Sequence, residues 1–381
     1  MSELEQILAP YVRSGAIPGA VAVLDRAGRR EVAVVGDAIL GTAPMTEDAL
    51  FRIASATKPI TAATVLSLVD ESAVRLEDPV REWLPELSSP LVVRTPDAPA
   101  GDVVEAARPI TVRDVLTSTT GWGFPSDFTL PAVEALFPVQ QDGRNVQAFP
   151  PRDQWLSELA RVPMLHQPGE AWLYDTSSTI QGALVERVTG RGLGEAMTER
   201  VFAPLGMADA AFSVPGPKLG RLTAYYRPGA EPGRFELGDA PDGQWSTPPA
   251  FELGNGGLVM TAADWVAFGR MLLRGGTAPD GRRVLSEASV RAMTTDRTTP
   301  AQRASAGLFL EEGQGWGYGG SVDLTAAGPG LVPGRYGWVG GTGTSAYVTP
   351  STSTVAVLFT QLGADGPGLP AWVRDFWRYA A

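Results

Sequence analysis

Apolar and polar positions recur with two different periods along this chain, and the changes of period divide it. Residues 2 to 14 repeat apolar positions at helical spacing, which predicts an amphipathic helix. Two runs of β character follow, Ala20–Asp25 and Glu31–Val35, with Arg26-Ala27-Gly28-Arg29 as a turn between them, and together they predict a hairpin. From Ser55 to Val69 the chain is dense in Ala, Leu, Val and Ile, which predicts a buried helix starting at or just after Ser55. Pro59 fits there only in the first turn, where no backbone N–H is needed.

Between about 76 and 215 the pattern is helical, in the stretches Leu76–Leu87, Val112–Ser118, Asp153–Arg161, Ser178–Thr189 and Leu193–Val201, with Pro- and Gly-rich loops between. Ser178 followed by Gln181 reads as a capping box, and Gly190 as a helix stop. Residues 215 to 255 read as irregular loops, and Ala262–Leu273 returns to helix. Short β-type runs then appear at Trp316–Val322, Arg335–Val339, Ser345–Val348 and Thr354–Thr360, closed by a helix from about Ala371. Strands at both ends with helices between predict an α/β (α+β) fold, in which one antiparallel sheet is built from both chain ends and flanked by helices. The expected division is 1–75 with 255–381 for the sheet domain and 76–254 for a mainly helical insertion with long loops.

Composition removes several chemistries. The 381 residues include one His, His166, and no Cys, so a His₂ or Cys/His metal site, a Cys nucleophile and a disulfide are excluded. No metal and no cofactor is expected. A Ser-His-Asp triad would need His166, which sits in a Pro/Gly loop and reads as structural or exposed. A net charge of −11 argues against a nucleic-acid or anionic-membrane partner, and no stretch approaches 18 consecutive apolar residues. The start MSELEQILAPYV lacks the pattern of a secretory signal, so a cytoplasmic location is expected. Oligomeric state has no signature in the sequence.

Lysine is scarce: Lys58 and Lys218 stand among 31 basic residues, the rest being Arg. Guanidinium does not give up its proton under ordinary conditions, whereas a buried amine can. Lys58 ends the string Ser55-Ala56-Thr57-Lys58. Positions i and i+3 share a helix face, so the amine can approach the Ser55 hydroxyl, and desolvation predicts a lowered pKa that lets it take the serine proton. The plain alternative is a helix cap beside a surface charge. Trp172-Leu173-Tyr174-Asp175-Thr176 offers Tyr174 as a partner in proton transfer or as a packed aromatic. Tyr336-Gly337-Trp338-Val339-Gly340-Gly341-Thr342-Gly343 is a glycine-interrupted strand, either a hairpin turn or a place where backbone N–H groups meet an oxyanion. Gly315-Trp316-Gly317-Tyr318-Gly319-Gly320 satisfies G-x-G-x-x-G without the strand-turn-helix context of phosphate binding, and no G-x-S-x-G elbow is present.

Taken in order, these three elements resemble the serine β-lactamases and penicillin-binding-protein-like hydrolases, in the branch of class C β-lactamases, DD-peptidases and family VIII carboxylesterases. S-x-x-K matches Ser55–Lys58, Y-x-N matches Tyr174-Asp175-Thr176, and the third motif matches Trp338-Val339-Gly340. The flanks FRIASATKPITA, QPGEAWLYDTSS and LGNGGLVMTAADWVAFGRMLL extend the likeness through nearly the whole chain. The resemblance implies a β-lactamase/transpeptidase-like fold, Ser55 as acylated nucleophile, Lys58 and Tyr174 as acid-base pair, and an oxyanion hole from the N–H groups of Ser55 and Gly341. Substrate contacts are implied at Trp338, Gly340 and Thr176, and Trp122, Trp155 and Trp316 lie in segments that can line an apolar pocket.

Two positions depart from the pattern. Thr176 replaces an Asn that in the family positions the lysine and binds a substrate amide, and Trp338 replaces a cation that receives a substrate carboxylate. The expectation is a serine hydrolase of esterase type, acting on a small-molecule ester or amide with an apolar acyl or alcohol part. Alternatives are an acyltransferase or peptide cyclase, a β-lactamase or D-amino-acid peptidase, and a non-catalytic penicillin-binding-like protein.

Overall fold

The central strand of the sheet is buried on both faces, and its alternation decides what covers each. In the computed structural model, which describes residues 2–381 except Pro232, Pro329, Asp365 and Pro367, β1 (Gly19–Arg26) turns into β2 (Arg29–Ile39). Ala27 and Gly28, the two residues between them, both have positive φ (48° and 89°), as the tightest hairpin turns demand. β3 (Ala43–Pro44) adds one edge. The rest of the sheet comes from the other end of the chain: β4 (Gln314–Trp316), β5 (Ser321–Asp323), β6 (Tyr336–Gly340), β7 (Thr344–Thr349) and β8 (Thr354–Thr360). The order is β4-β5-β6-β7-β8-β1-β2-β3, antiparallel throughout, and β1 meets β8 with Ala20 opposite Thr360.

Side chains of a strand alternate between faces. Val21 and Val23 of β1, with Val355, Val357 and Phe359 of β8, join the large core that includes helices α2 (Lys58–Asp70) and α4 (Ala262–Leu273). Ala20, Ala22 and Leu24, with Ala356 and Leu358, face a second cluster with α1 (Glu3–Arg13) and α5 (Ala371–Ala380). Each fully buried Val, Leu or Phe here contributes about 1.5–3 kcal/mol of transfer free energy. Between the two sheet-forming segments lie α3 (Thr176–Thr189), shorter helices such as Val112–Thr117 and Arg152–Leu159, and long loops. Among the described residues no helix is long and apolar enough to cross a membrane.

Several local expectations are corrected. Leu76–Leu87 is not one helix but two single 3₁₀ turns, Val80–Glu82 and Pro85–Leu87, because Pro79 and Pro85 each interrupt the backbone ladder. The α3 helix starts at Thr176, so Ser178 and Gln181 lie inside it; both are buried, and Gln181 donates to the Val115 carbonyl instead of closing a capping box. Within 215–255 the chain forms a hairpin, Tyr225–Pro228 with Phe235–Asp239, instead of irregular loops throughout. The G-x-G-x-x-G stretch is the β4–β5 hairpin: Gly317 donates to the Gly320 carbonyl.

Candidate active site

The segment that carries Ser55 is pinned from two sides. The Ile53 N–H donates to the Leu258 carbonyl (3.0 Å), and the Ile53 carbonyl accepts from Thr344 Oγ1 on β7 (2.8 Å). Ala54 then enters the left-handed region at φ 44°, a strain of about 1–3 kcal/mol for a residue with a Cβ. A single 3₁₀ turn, Ala54–Thr57, leads into α2 at Lys58, with Pro59 in the first helical turn. In 3₁₀ geometry residues i and i+3 eclipse. Lys58 Nζ accordingly donates to Ser55 Oγ at 2.8 Å. Gly319 packs against this start; a Cβ there would lie 2.5 Å from the Lys58 carbonyl oxygen.

Tyr174 comes from the loop before α3 and is held by a mutual pair of backbone hydrogen bonds with Phe124 (2.9 and 3.0 Å). Its hydroxyl donates to Ser55 Oγ at 2.9 Å and accepts from Trp338 Nε1 at 2.8 Å. The phenol ring stacks on Phe309 with centroids 4.5 Å apart. Trp338, on β6, is backed edge-on by Trp316 at 4.8 Å. Two side chains far apart in sequence, Lys58 and Tyr174, thus meet at one serine oxygen, with Trp338 holding the phenol hydroxyl from the other side.

Lys58 is fully buried, and its amine also donates to the Asn255 carbonyl (2.8 Å) and pairs with Asp175 Oδ1 (2.7 Å). Burial pulls the amine pKa down, but the Asp175 carboxylate and Tyr174 outweigh it and hold Lys58 above the ordinary lysine value. The expectation of a lowered pKa is therefore corrected: desolvation was foreseen and the anionic partner was not. Asp175 Oδ2 accepts from Asn255 Nδ2 (2.7 Å) and Gln140 Nε2 (2.9 Å).

Ser55 lies at the floor of a cleft of about 920 Å³. Tyr174, Trp338, Gly340 and Gly341 line it, and its wall is aromatic, with Phe124, Phe128, Phe137 and Phe309 in a contiguous ring-on-ring set at 5.1–6.3 Å. Gly340 has no room for a side chain: a Cβ would lie 2.4 Å from the Ile53 carbonyl oxygen, so glycine here lets β6 close on the serine turn. Four expected substrate contacts lie elsewhere. Thr176 is fully buried under the loop and does not line the cleft. Trp122 and Trp155 are core residues whose indole N–H groups reach the Val162 and Val139 carbonyls. Trp316 supports Trp338 from behind and is itself buried. Sequence reasoning missed Asp175, Asn255, Gln140 and Phe309. Asp175 stood inside a quoted motif and Asn255 in the Gly254–Gly257 loop, whereas Gln140 and Phe309 carry no local signal. Among the described residues no group of three or more acidic, His or Cys side chains is placed to hold a metal ion.

Comparison with known proteins identifies the family of the chain. The Beta-lactamase family matches residues 4–375. An uncharacterized protein of Mycobacterium tuberculosis is 36% identical over 329 residues, covering 84% of this chain and 79% of that one. Esterase EstB of Burkholderia gladioli is 30% identical over 398 residues, covering 97% and 92%. The solved structure of EstCE1, a hydrolase with promiscuous acyltransferase activity, superposes with a TM-score of 0.80 over 98% of this chain and 97% of that one, at 23% identity. A match across nearly the whole chain, an esterase relative of almost full coverage and a shared antiparallel sheet flanked by helices lead to one conclusion: the chain belongs to the Beta-lactamase family and is a serine hydrolase of that fold.

Proposed function

We propose that the protein is an esterase that cleaves small-molecule esters with an apolar acyl or alcohol part through an acyl-enzyme on Ser55. The observation that carries this reading is the convergence of the Lys58 amine and the Tyr174 hydroxyl on Ser55 Oγ at 2.8 and 2.9 Å, on the floor of an aromatic cleft. The Lys58/Tyr174 pair first gives up one proton to solvent; as Oγ then bonds to the ester carbonyl carbon, its proton passes to the pair and the carbonyl electrons move onto oxygen, which the N–H groups of Ser55 and Gly341 receive. Collapse breaks the ester C–O bond, and Tyr174 returns the proton to the departing alkoxide. Water then repeats the sequence on the acyl-enzyme and restores Ser55.

Trp338 supports an ester over a β-lactam or peptide substrate, because it presents an indole where a carboxylate receptor would need a cation. Arg144 also lines the cleft, but its guanidinium is committed to Asp142 (2.7–2.9 Å). Turnover of p-nitrophenyl esters and of nitrocefin, measured side by side, tests the reading. Ester turnover is expected to dominate, and nitrocefin hydrolysis at a comparable rate overturns it.

Two variants probe the cleft and the dyad. Phe137, with nearly half its surface exposed at the rim, is expected to contact long acyl chains. Phe137→Ala should raise KM for a long-chain ester about 10-fold, equivalent to about 1.4 kcal/mol of lost apolar contact, with little effect on the acetate. Trp338→Phe keeps an aromatic wall but removes the N–H that Tyr174 accepts. It should lower kcat about 10-fold, measured at saturating short-chain ester. A second reading, acyl transfer to an alcohol, is favoured by the similarity to the acyltransferase calJ of Penicillium decumbens, 27% identical over 368 residues. Adding a short-chain alcohol and measuring the ratio of new ester to free acid tests it.

A further inference from the structure

We propose that Asp175 is the positioning residue of this site: its carboxylate holds Lys58 as an ammonium and aims one N–H of that ammonium at Ser55 Oγ. This rests on the esterase reading above only for its kinetic consequence, since the geometry stands by itself. Three acceptors surround Lys58 Nζ at 2.7–2.8 Å: Ser55 Oγ, the Asn255 carbonyl and Asp175 Oδ1. An ammonium has three N–H groups, and each finds one partner. The Tyr174 hydroxyl, at 3.4 Å, is the more distant fourth neighbour, and the amine also lies 4.6 Å from the Tyr174 ring centre.

The backbone is bent to make this possible. Consecutive side chains of an extended segment point to opposite sides. Asp175 instead has φ 81° and ψ −62°, with the Thr176 N–H donating back to the Tyr174 carbonyl (3.2 Å), the three-residue γ-turn that L-residues rarely adopt. That turn lets Tyr174 and Asp175, adjacent in sequence, both reach one amine. The strain is maintained by the groups that fix the carboxylate: Asn255 Nδ2 and Gln140 Nε2 both donate to Asp175 Oδ2, and both residues are buried. Thr176 cannot substitute, because its hydroxyl lies fully buried without a hydrogen-bond partner in the structure.

The titratable groups facing the amine are Asp175 and Tyr174. From the other elements packed against it come uncharged groups: the Ser55 hydroxyl from the 3₁₀ turn and the Asn255 carbonyl from its loop. Burial lowers the Lys58 pKa, and the Asp175 carboxylate, with Tyr174, raises it further than burial lowers it. Removing the carboxylate must therefore move the titration of Lys58 to lower pH.

The composition makes a direct test practical, because Lys58 and Lys218 are the only lysines. Protein labelled with ¹³C at lysine Cε gives two side-chain signals, and Lys218→Arg assigns them. In the wild type the Lys58 signal is expected to remain that of a charged ammonium through neutral and mildly alkaline pH. In Asp175→Asn its titration should move to lower pH while the Lys218 signal stays in place. Asp175→Gly is the second variant, since glycine adopts the γ-turn without strain and keeps the comparison meaningful should the Asn variant fold poorly. Kinetically, kcat for a short ester should fall about 10- to 100-fold with KM little changed, as expected for misplaced machinery as opposed to a lost substrate contact. A neutral Lys58 in the wild type at pH 7, an unmoved titration in both variants, or a moved titration with unchanged kcat overturns the proposal. Labelling of Ser55 by a fluorophosphonate probe is scored separately. Its absence from the wild type would defeat the esterase reading while leaving the lysine titration to stand or fall alone.

Discussion

Ester turnover is expected to fall on the order of 10⁵- to 10⁶-fold in Ser55→Ala, with the folded state unaffected. The size follows from losing the atom that forms the covalent intermediate, which leaves only binding and the oxyanion donors to assist water. The retained stability follows from the local structure. Ser55 caps nothing: neither the 3₁₀ turn nor α2 has a side-chain cap hydrogen bond, and the bends around the serine are held by Ile53, Thr344 and Leu258. The variant should therefore melt within a few degrees of the wild type while losing both turnover and fluorophosphonate labelling. Turnover that survives in the alanine variant refutes Ser55 as the nucleophile.

Tyr174→Phe is expected to lower kcat about 10²- to 10⁴-fold, the usual contribution of a positioned acid-base group. The phenylalanine keeps the stack on Phe309 and the packing against Trp338, so the variant isolates the hydroxyl. Lys58→Arg should be of similar severity even though the charge is retained. The amine is fully buried among three acceptors at 2.7–2.8 Å, and a planar guanidinium cannot occupy that space without displacing Ser55 or Asp175. Single-turnover measurements with a chromogenic ester separate acylation from deacylation in both variants. Near-normal acylation in either removes that residue from the first step.

Where the chain repeats apolar positions cleanly, the sequence was enough. Ala262–Leu273 and Thr354–Thr360 form a helix and a strand over the residues their periods predict, because both bury strong apolar faces in the same core. The helical pattern of Leu76–Leu87 was overruled by two prolines whose effect was itself readable. The serine, lysine, tyrosine and tryptophan of the candidate site were legible because their motifs are short and local. The tryptophans at 122 and 155 were misassigned because an aromatic near a motif says nothing about the direction it faces. Each turned inward, where its N–H found a backbone carbonyl. Asp175 shows a different limit. Its type and place were visible, but the backbone reversal that points it at Lys58 depends on Asn255 and Gln140, which only the folded chain brings near.

The pairing of β1 with β8 also has a consequence for vectorial synthesis. Residue 20 must wait for residue 360 before the middle of the sheet acquires its second neighbour. Ser55, Lys58 and Tyr174 leave the ribosome long before Trp338 and Gly341, so a nascent chain carries its reactive serine without the partners that would complete the site. The N-terminal hairpin meanwhile presents an unpaired β1 edge, the state in which strands are most prone to join the wrong neighbour. Synthesis therefore ends with the step that closes the sheet and assembles the site together, and a chain stopped short of β8 has neither.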